Sequence, residues 1–286
     1  MCIRDSYHPD IFISINGNAY YEFVDSEILE LLKGFGCQTY LWYMDTIKRF
    51  EAIKQNVCAF DGVWSFEPMD VKYIESKYSR KAKYLPIGVA EQIFCKGKEQ
   101  KQIKYDISFI GNSTDNRLEV LDELAKYCVD NNKNMVVYGH YWHNKHWWQE
   151  YTARKKFAKK HPNLIKYVKN SFLHNKEVAE LYNMSKICLN IHISVHKGIN
   201  PRTFEVLGNG NFELCDYRSD AESMGLYDGE NIVFYKDAND CINKLDYYLQ
   251  NEEERKKIAD AGQMFVKQKY TMEKLLEGVL KEEKIL

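Results

Sequence analysis

The chain has 286 residues, 45% of them hydrophobic and 28% charged, and a net charge of −1. That balance argues against disorder, and the near-zero charge against a sequence-wide electrostatic footprint for nucleic acid. No apolar run reaches the roughly 18 residues of a membrane span, and no secretory signal opens the chain. The eight cysteines are scattered singly without a CxxC pair, the usage of a reducing compartment, so a cytoplasmic protein is expected.

Residues 1–6, MCIRDS, join no periodic pattern and resemble a translated sequencing-adapter scar at the end of a metagenomic fragment. Native sequence is therefore expected to begin near Tyr7, with an upstream piece missing. From there strand and helix patterns alternate. Residues 10–16 form a short apolar strand. A helix capped by Ser26 carries Ile28, Leu29, Leu31 and Leu32 up to Gly34. Residues 39–44 form a strand ending at Asp45, 47–55 a helix, and 62–66 a strand. Residues 70–78 read as helix and 82–86 as a fourth strand. Residues 90–104, with Gly97 and little periodicity, form the expected linker. The alternation restarts with strand 105–110, helix 117–128 and strand 134–138. Strand 164–168, helix 177–184 and strand 187–191 follow, then a helix opening at Arg202, strands 212–215 and 232–235, and a helical tail. Short βαβ connections of this kind predict parallel sheets covered by helices. The expected architecture is α/β with two Rossmann-like lobes, the N-terminal one (7–95) incomplete, a second lobe over 96–270 and a C-terminal helix over 271–286.

Ligands of open α/β sheets bind outside the carboxyl ends of the strands. Candidates there are Gly111-Asn112-Ser113-Thr114, Gly139-His140, Lys169-Asn170, His192 and Asp216. The loop from Gly111, leading into a helix that carries Arg117, offers amide groups and a helix N-terminus to a phosphate. A plain βα loop capped by Asp115 or Asn116 fits the spacing equally well. In the segment 199–216, Asn200 and Pro201 lead into a helix whose first turn holds Arg202 and Thr203, with Glu205 one turn on. Arginine and glutamate so placed can clamp a diphosphate and bind sugar hydroxyls. An ordinary intrahelical ion pair is the alternative.

Arg202-Thr-Phe-Glu205, followed by Gly-Asn-Gly and an apolar strand ending in Asp216, resembles the donor-site block of GT-B glycosyltransferases, and more narrowly of the spore-maturation (CgeB-like) members. Tyr105–Gly111 with Arg117, Val137–Gly139, Tyr182–Asn190, Phe66-Glu67 and Tyr84–Gly88 agree with it, so the likeness runs from about Asp10 to about Tyr270. The resemblance implies sugar transfer, hexosyl or similar, from a nucleotide diphosphate sugar to an unidentified hydroxyl acceptor. Arg202 and Arg117 would hold the diphosphate and Glu205 the ribose or sugar hydroxyls, while Gly111 and Gly139 allow close approach. Asn112, Asn200 and Thr203 complete the expected donor set. Such enzymes use no metal and no cofactor beyond the donor, neutralising the leaving group with cations and helix N-termini. Many relatives carry a second glutamate eight positions before Glu205. Here that position is Lys197, which puts a retaining mechanism in question and offers a phosphate contact instead.

A general base facing the acceptor is expected from the first lobe, with Asp45 the first candidate and Glu67 the second; either also suits a helix cap. His192 is a further catalytic candidate and equally suits a structural role. His140, His143 and His146 do not share a helical face and read as part of an aromatic loop rather than a zinc site. Lys155, Lys156, Lys159 and Lys160 read as a solvated helix face. The rival functions are a non-catalytic nucleotide-sugar-binding or coat-assembly protein of the same fold, and a sugar-nucleotide epimerase.

Overall fold

A computed structural model of the chain describes residues 8–15, 26–47, 57–95, 102–140, 142, 147–194 and 198–283. The chain divides into two compact units, Met1–Ile87 with His196–Gly198, and Gly88–Val195 with Ile199–Leu286.

The first unit is built from β1 (Ile11–Ile15), α1 (Ser26–Gly34), β2 (Gln38–Tyr43), β3 (Gly62–Ser65), α2 (Pro68–Tyr78) and β4 (Ala82–Tyr84). Its strands are parallel and lie in the order β1-β2-β3-β4. Thr39 through Tyr43 are all buried, the mark of a parallel strand covered on both faces. Leu29, Leu41, Val63 and Ile74 form the centre of the core. Pro68 starts α2 two residues before the expected Asp70, where its missing N–H costs nothing, and Ser79 in a left-handed conformation (φ 52°) ends it. The expected strand residue Asn16, Gly17, and residues 48–55 of the expected second helix lie outside the described residues.

The second unit starts with α3 (Glu91–Phe94), inside the expected linker, and continues with β5 (Tyr105–Ile110), α4 (Asp115–Asp130), β6 (Met135–Tyr138) and α5 (Trp147–Lys160). Then come α6 (Asn175–Asn183), β7 (Ser185–Asn190), α7 (Pro201–Gly208), β8 (Glu213–Asp216), β9 (Val233–Tyr235), α8 (Ala238–Gln250), α9 (Glu252–Lys269) and α10 (Met272–Glu282). The N–H of Val89 donates to Tyr270 O at 2.9 Å and Met272 N–H to Val89 O at 3.0 Å. These bonds, and the packing of α3 on α6 and α7, tie residues 88–95 to the second unit.

The five parallel strands run β6-β5-β7-β8-β9. The order reverses between β5 and β7, the switch point where an open sheet leaves a crevice at its carboxyl edge. Ile107, Phe109, Leu121, Val137, Leu189 and Leu214 fill the core beneath it. One expected strand is absent. Residues 164–166 form a 3-10 turn, and only Val168 bridges to Val137. Leu164 and Val168 are buried while Lys166 between them is exposed, which fits a helical turn and not a period-two strand, where 164, 166 and 168 would share a face. No helix among the described residues is long and apolar enough to cross a membrane.

Candidate active site

The carboxyl ends of β5 and β6 meet backbone to backbone. Gly139 has φ +143°, and a Cβ there would lie 1.9 Å from Gly111 O. Only glycine permits that approach. Asn112 Oδ1 accepts from His140 N–H at 3.0 Å, so the Asn112 side chain braces the two loops. At the start of α4, Thr114 takes the N-cap position but supplies no side-chain cap, its hydroxyl donating instead to Asn116 Oδ1 at 2.9 Å. The N-cap side chain therefore leaves the first-turn amides of this 16-residue helix without a cap among the described residues, a condition that suits an anion.

Arg117 is buried. Its Nε donates to Ile191 O at 2.9 Å and its Nη1 to Asn112 O at 3.0 Å, with the guanidinium over the Phe109 ring. It thus joins the ends of β5 and β7 across the switch point. Burial, and then repulsion from Arg202, bring its pKa down to about 10, partly offset by Asp216. An anion bound beside the two arginines would relieve that repulsion.

The second helix N-terminus is that of α7. Asn200 caps it, its Oδ1 accepting from Thr203 N–H, and Pro201 occupies the first turn. Beneath the cap lies a buried polar network. Asn190 Nδ2 donates to Asn200 Oδ1 at 3.0 Å, Thr203 Oγ1 at 3.1 Å and Glu213 Oε1 at 2.8 Å. Thr203 Oγ1 donates to the same Glu213 oxygen at 3.0 Å. Arg202 Nη1 donates to the Tyr182 hydroxyl at 2.7 Å and lies 3.5 Å from Glu205 Oε2, both charged side chains remaining about one-quarter exposed. Burial raises the Glu205 pKa and Arg202 draws it part of the way back. Burial opposes the Arg202 charge, but Tyr182 and Glu205 outweigh it and hold the pKa above its ordinary value.

His192 joins the two N-termini. Its carbonyl accepts from Asn116 Nδ2 of α4 at 2.7 Å, and its Nε2 accepts from Asn200 N–H at 3.0 Å. An amide can only donate, so Nε2 carries the lone pair and the proton sits on Nδ1, which donates to Asp216 Oδ1 at 2.7 Å. Burial lowers the His192 pKa despite that carboxylate, and Arg218 completes the chain with a 2.6 Å ion pair to Asp216. Both ring nitrogens are engaged, an arrangement that fits the structural role His192 also suits. His192, Cys215 and Asp216 offer atoms within 4.8 Å of one another. The histidine lone pair is already engaged, however, and burial holds the Cys215 thiol well above its usual pKa, so the trio reads as a hydrogen-bonded cluster, not a metal centre.

In the first unit, Glu67 is buried at the N-cap of α2 without capping it, its N–H donating to Ser65 Oγ at 3.2 Å. Asp45 is half-buried and accepts from Thr46 N–H at 2.8 Å. Asp70, read only as a helix start in the sequence, is buried and accepts from Ile47 N–H at 2.6 Å. Lys197, His143 and His146 lie outside the described residues.

Gly111, Asn112, Arg117, Gly139, Asn200, Arg202, Thr203 and Glu205 thus gather at the carboxyl edge of the second sheet. Sequence reasoning gave no site role to Tyr182, Asn190, Glu213 or Phe172. Glu213 had a signal, a carboxylate inside the apolar run Phe-Glu-Leu-Cys. Phe172 is 63% exposed and stacks near the His140 ring, with centroids 6.1 Å apart, while His174 meets it edge-on at 5.4 Å.

A family model described as glycosyl transferase-like matches residues 117–281, more than half of the chain. The spore protein CgeB of Bacillus subtilis (strain 168) is 21% identical over 264 residues, which span 90% of this chain and 78% of that protein. Among solved structures, sucrose-phosphate synthase from Thermosynechococcus elongatus matches with a TM-score of 0.66 at 13% identity, covering 98% of this chain and 75% of that one. A glycosyltransferase from Rickettsia africae ESF-5 matches with a TM-score of 0.65 at 13% identity, covering 99% and 78%. Anabaena Alr3699/HepE, in complex with UDP and glucose, matches with a TM-score of 0.63 at 9% identity, covering 99% and 80%. The structural likenesses show the fold, and the family match with the CgeB likeness shows the lineage. The chain belongs to the glycosyl transferase-like family, as a CgeB-like glycosyltransferase of the GT-B fold.

Proposed function

We propose that the chain transfers a sugar, hexosyl or similar, from a nucleotide diphosphate sugar to a hydroxyl acceptor, with the donor held at the β5/β7 switch point. The observation that carries this reading is the convergence of two helix N-termini on one residue. Asn116 of α4 and Asn200 of α7 both hydrogen-bond His192, with Arg202 and Arg117 close enough to repel one another. The site is thereby preorganised for a diphosphate. Negative charge that develops on the leaving group as the glycosidic bond breaks meets the Arg202 guanidinium and oriented amides, which need not reorganise. This set can stabilise the leaving group without a metal. Glu205, aligned by Arg202 and Tyr182, accepts hydroxyls of the ribose or sugar, and the exposed Phe172 ring offers a stacking face to the base. The general base for the acceptor is assigned to Glu67 or Asp45.

The UDP and glucose held by Alr3699/HepE make uridine donors the first to try. Labelled UDP-sugars incubated with the chain, EDTA and a panel of hydroxyl acceptors should yield a glycosylated product and free UDP. Binding without turnover on any acceptor would favour a non-catalytic donor-binding protein. Release of an epimerised sugar without acceptor would favour an epimerase.

A further inference from the structure

Residues 151–176 hold eight lysines and arginines and no aspartate or glutamate, in a chain whose 40 basic and 41 acidic residues otherwise balance. Arg154, Lys155, Lys156, Lys159 and Lys160 are exposed on α5, and Lys166, Lys169 and Lys176 are exposed beyond it. None of the eight pairs with a carboxylate among the described residues. Lys155 lies over the Tyr151 ring, 4.3 Å from its centre, and Lys166 reaches the Asn163 side chain at 3.4 Å. By contrast, Lys33, Lys186, Lys256 and Lys281 each lie 2.5–3.2 Å from a carboxylate. Like charges four apart, Lys155 with Lys159 and Lys156 with Lys160, destabilise a helix. Nothing among the described residues offsets that repulsion, so the counter-charge that fits is an anion from outside the chain.

The band reaches the candidate site. Lys169 N–H donates to Val137 O at 2.8 Å and Gly139 N–H to Ser171 O at 3.0 Å, so the chain beyond the 3-10 turn runs beside β6 to the same carboxyl edge. The shape of the band decides between a surface and a polymer. At 3.6 residues per turn the five α5 cations cover more than half of the helix circumference, leaving Phe157 to pack on the core. A helix that lies on a membrane keeps one face for charge and another for insertion. Over residues 150–160 the exposed positions include one large apolar side chain, Tyr151. A flexible polyanion can follow such a curved band, and seven of the eight cations are lysines, point charges on flexible stems that track a charged chain without fixing its register. We propose that the acceptor is a polyanionic glycan, with a negative charge on most of its repeating units, and that this band holds it against the second unit. The inference rests on the sugar-transfer reading above and narrows its acceptor to one class.

Fluorescence anisotropy of end-labelled polygalacturonate, with neutral dextran of matched length as the comparison, tests it on the full chain. Wild type should bind polygalacturonate and not dextran, with affinity falling about tenfold or more between 50 and 200 mM salt. Replacing Lys155, Lys156, Lys159 and Lys160 together by glutamine, which keeps helix propensity, should weaken binding about tenfold or more at the lower salt. The same four-charge change at exposed Lys256, Lys257, Lys274 and Lys281 should leave it unaltered. UDP or GDP should bind equally well with and without saturating polygalacturonate. Equal binding by wild type and the α5 variant overturns the proposal, as does equal weakening in both variants, because net charge alone then acts. Preference for phosphatidylserine vesicles over polygalacturonate overturns it in favour of a membrane surface. Displacement of the nucleotide by polygalacturonate overturns it too, since the polymer then occupies the donor site. Nucleotide binding without polygalacturonate binding refutes this inference alone, whereas failure to bind either nucleotide refutes the donor-site reading and the acceptor role with it.

Discussion

Replacing Gly139 by alanine is the smallest perturbation that separates the close approach of β5 and β6 from ordinary loop tolerance. The added Cβ would lie 1.9 Å from Gly111 O, 2.6 Å from Gly111 C and 3.1 Å from Trp142 Nε1, where real Cβ atoms essentially never come within 3.0 Å of a neighbour. The two strand ends must therefore part by about an ångström, loading the bonds from Gly111 N–H to Tyr138 O and from Gly139 N–H to Ser171 O. Holding alanine at φ +143° costs about 1–3 kcal/mol, and overpacking a rigid contact costs about 1–3 kcal/mol more. The sum, about 2–6 kcal/mol, corresponds to a fall of about 1–3 M in the urea midpoint. Urea unfolding, with hydrogen exchange of the β5 and β6 segments reporting the second unit, measures it. Gly229→Ala is the control, since its φ is +74° but its Cβ meets nothing within 4 Å; it should cost only about 1 kcal/mol. Equal midpoints for wild type and Gly139→Ala would refute the reasoning, because the steric argument leaves no room for a neutral substitution.

Three further outcomes follow from the site. His192→Leu leaves the Asn200 N–H without its acceptor and takes one of its donors from Asp216, which keeps Arg218 and the backbone N–H of residue 192, and should cost about 1–3 kcal/mol in urea unfolding. Wild-type stability should also fall as pH drops through 6.5, the ordinary histidine value, because the unfolded chain takes up a proton that buried His192 resists; the variant should lack that component. Glu213, raised from 4.5 to about 7, has the opposite sign. Its contribution is complete below pH 4.5 and is lost as pH rises through 7, so Glu213→Gln should be more stable than wild type at pH 8, by about 3 kcal/mol at most, and nearly equal at pH 4.5. Phe172→Ala, at an exposed ring, should weaken UDP binding about tenfold with no change in the urea midpoint.

The α/β alternation was legible because buried parallel strands such as Thr39–Tyr43 and Ile107–Ile110 are mostly apolar runs that short loops separate. The carboxyl edge where the candidate residues gather was legible for a related reason, since strand ends point to it regardless of family. What escaped was set by contacts distant in sequence. Arg117 offers itself as a phosphate ligand from its place in α4, but its bond to Ile191 spans 74 positions and no local pattern announces it. His192 shows no partner in its own stretch of sequence, yet Asn200 and Asp216 close on both its nitrogens. Residues 164–168 were misread because a run of five mostly apolar residues fits a strand or a helical turn; the exposed Lys166 between buried Leu164 and Val168 decides it. Residues 91–94 were taken as linker because a single turn of helix has no period to detect.

The central claim is that a nucleotide diphosphate binds at the switch point of the second unit through Arg202. Isothermal titration of the full chain with UDP and GDP, metal omitted and EDTA present, tests it most directly when paired with Arg202→Ala. The account predicts micromolar binding of at least one nucleotide, weakened about 10–100-fold in the variant, as losing a charged hydrogen-bonding partner of about 1.5–3 kcal/mol requires. Equal affinities for wild type and a folded Arg202→Ala chain would contradict it and move the donor away from α7.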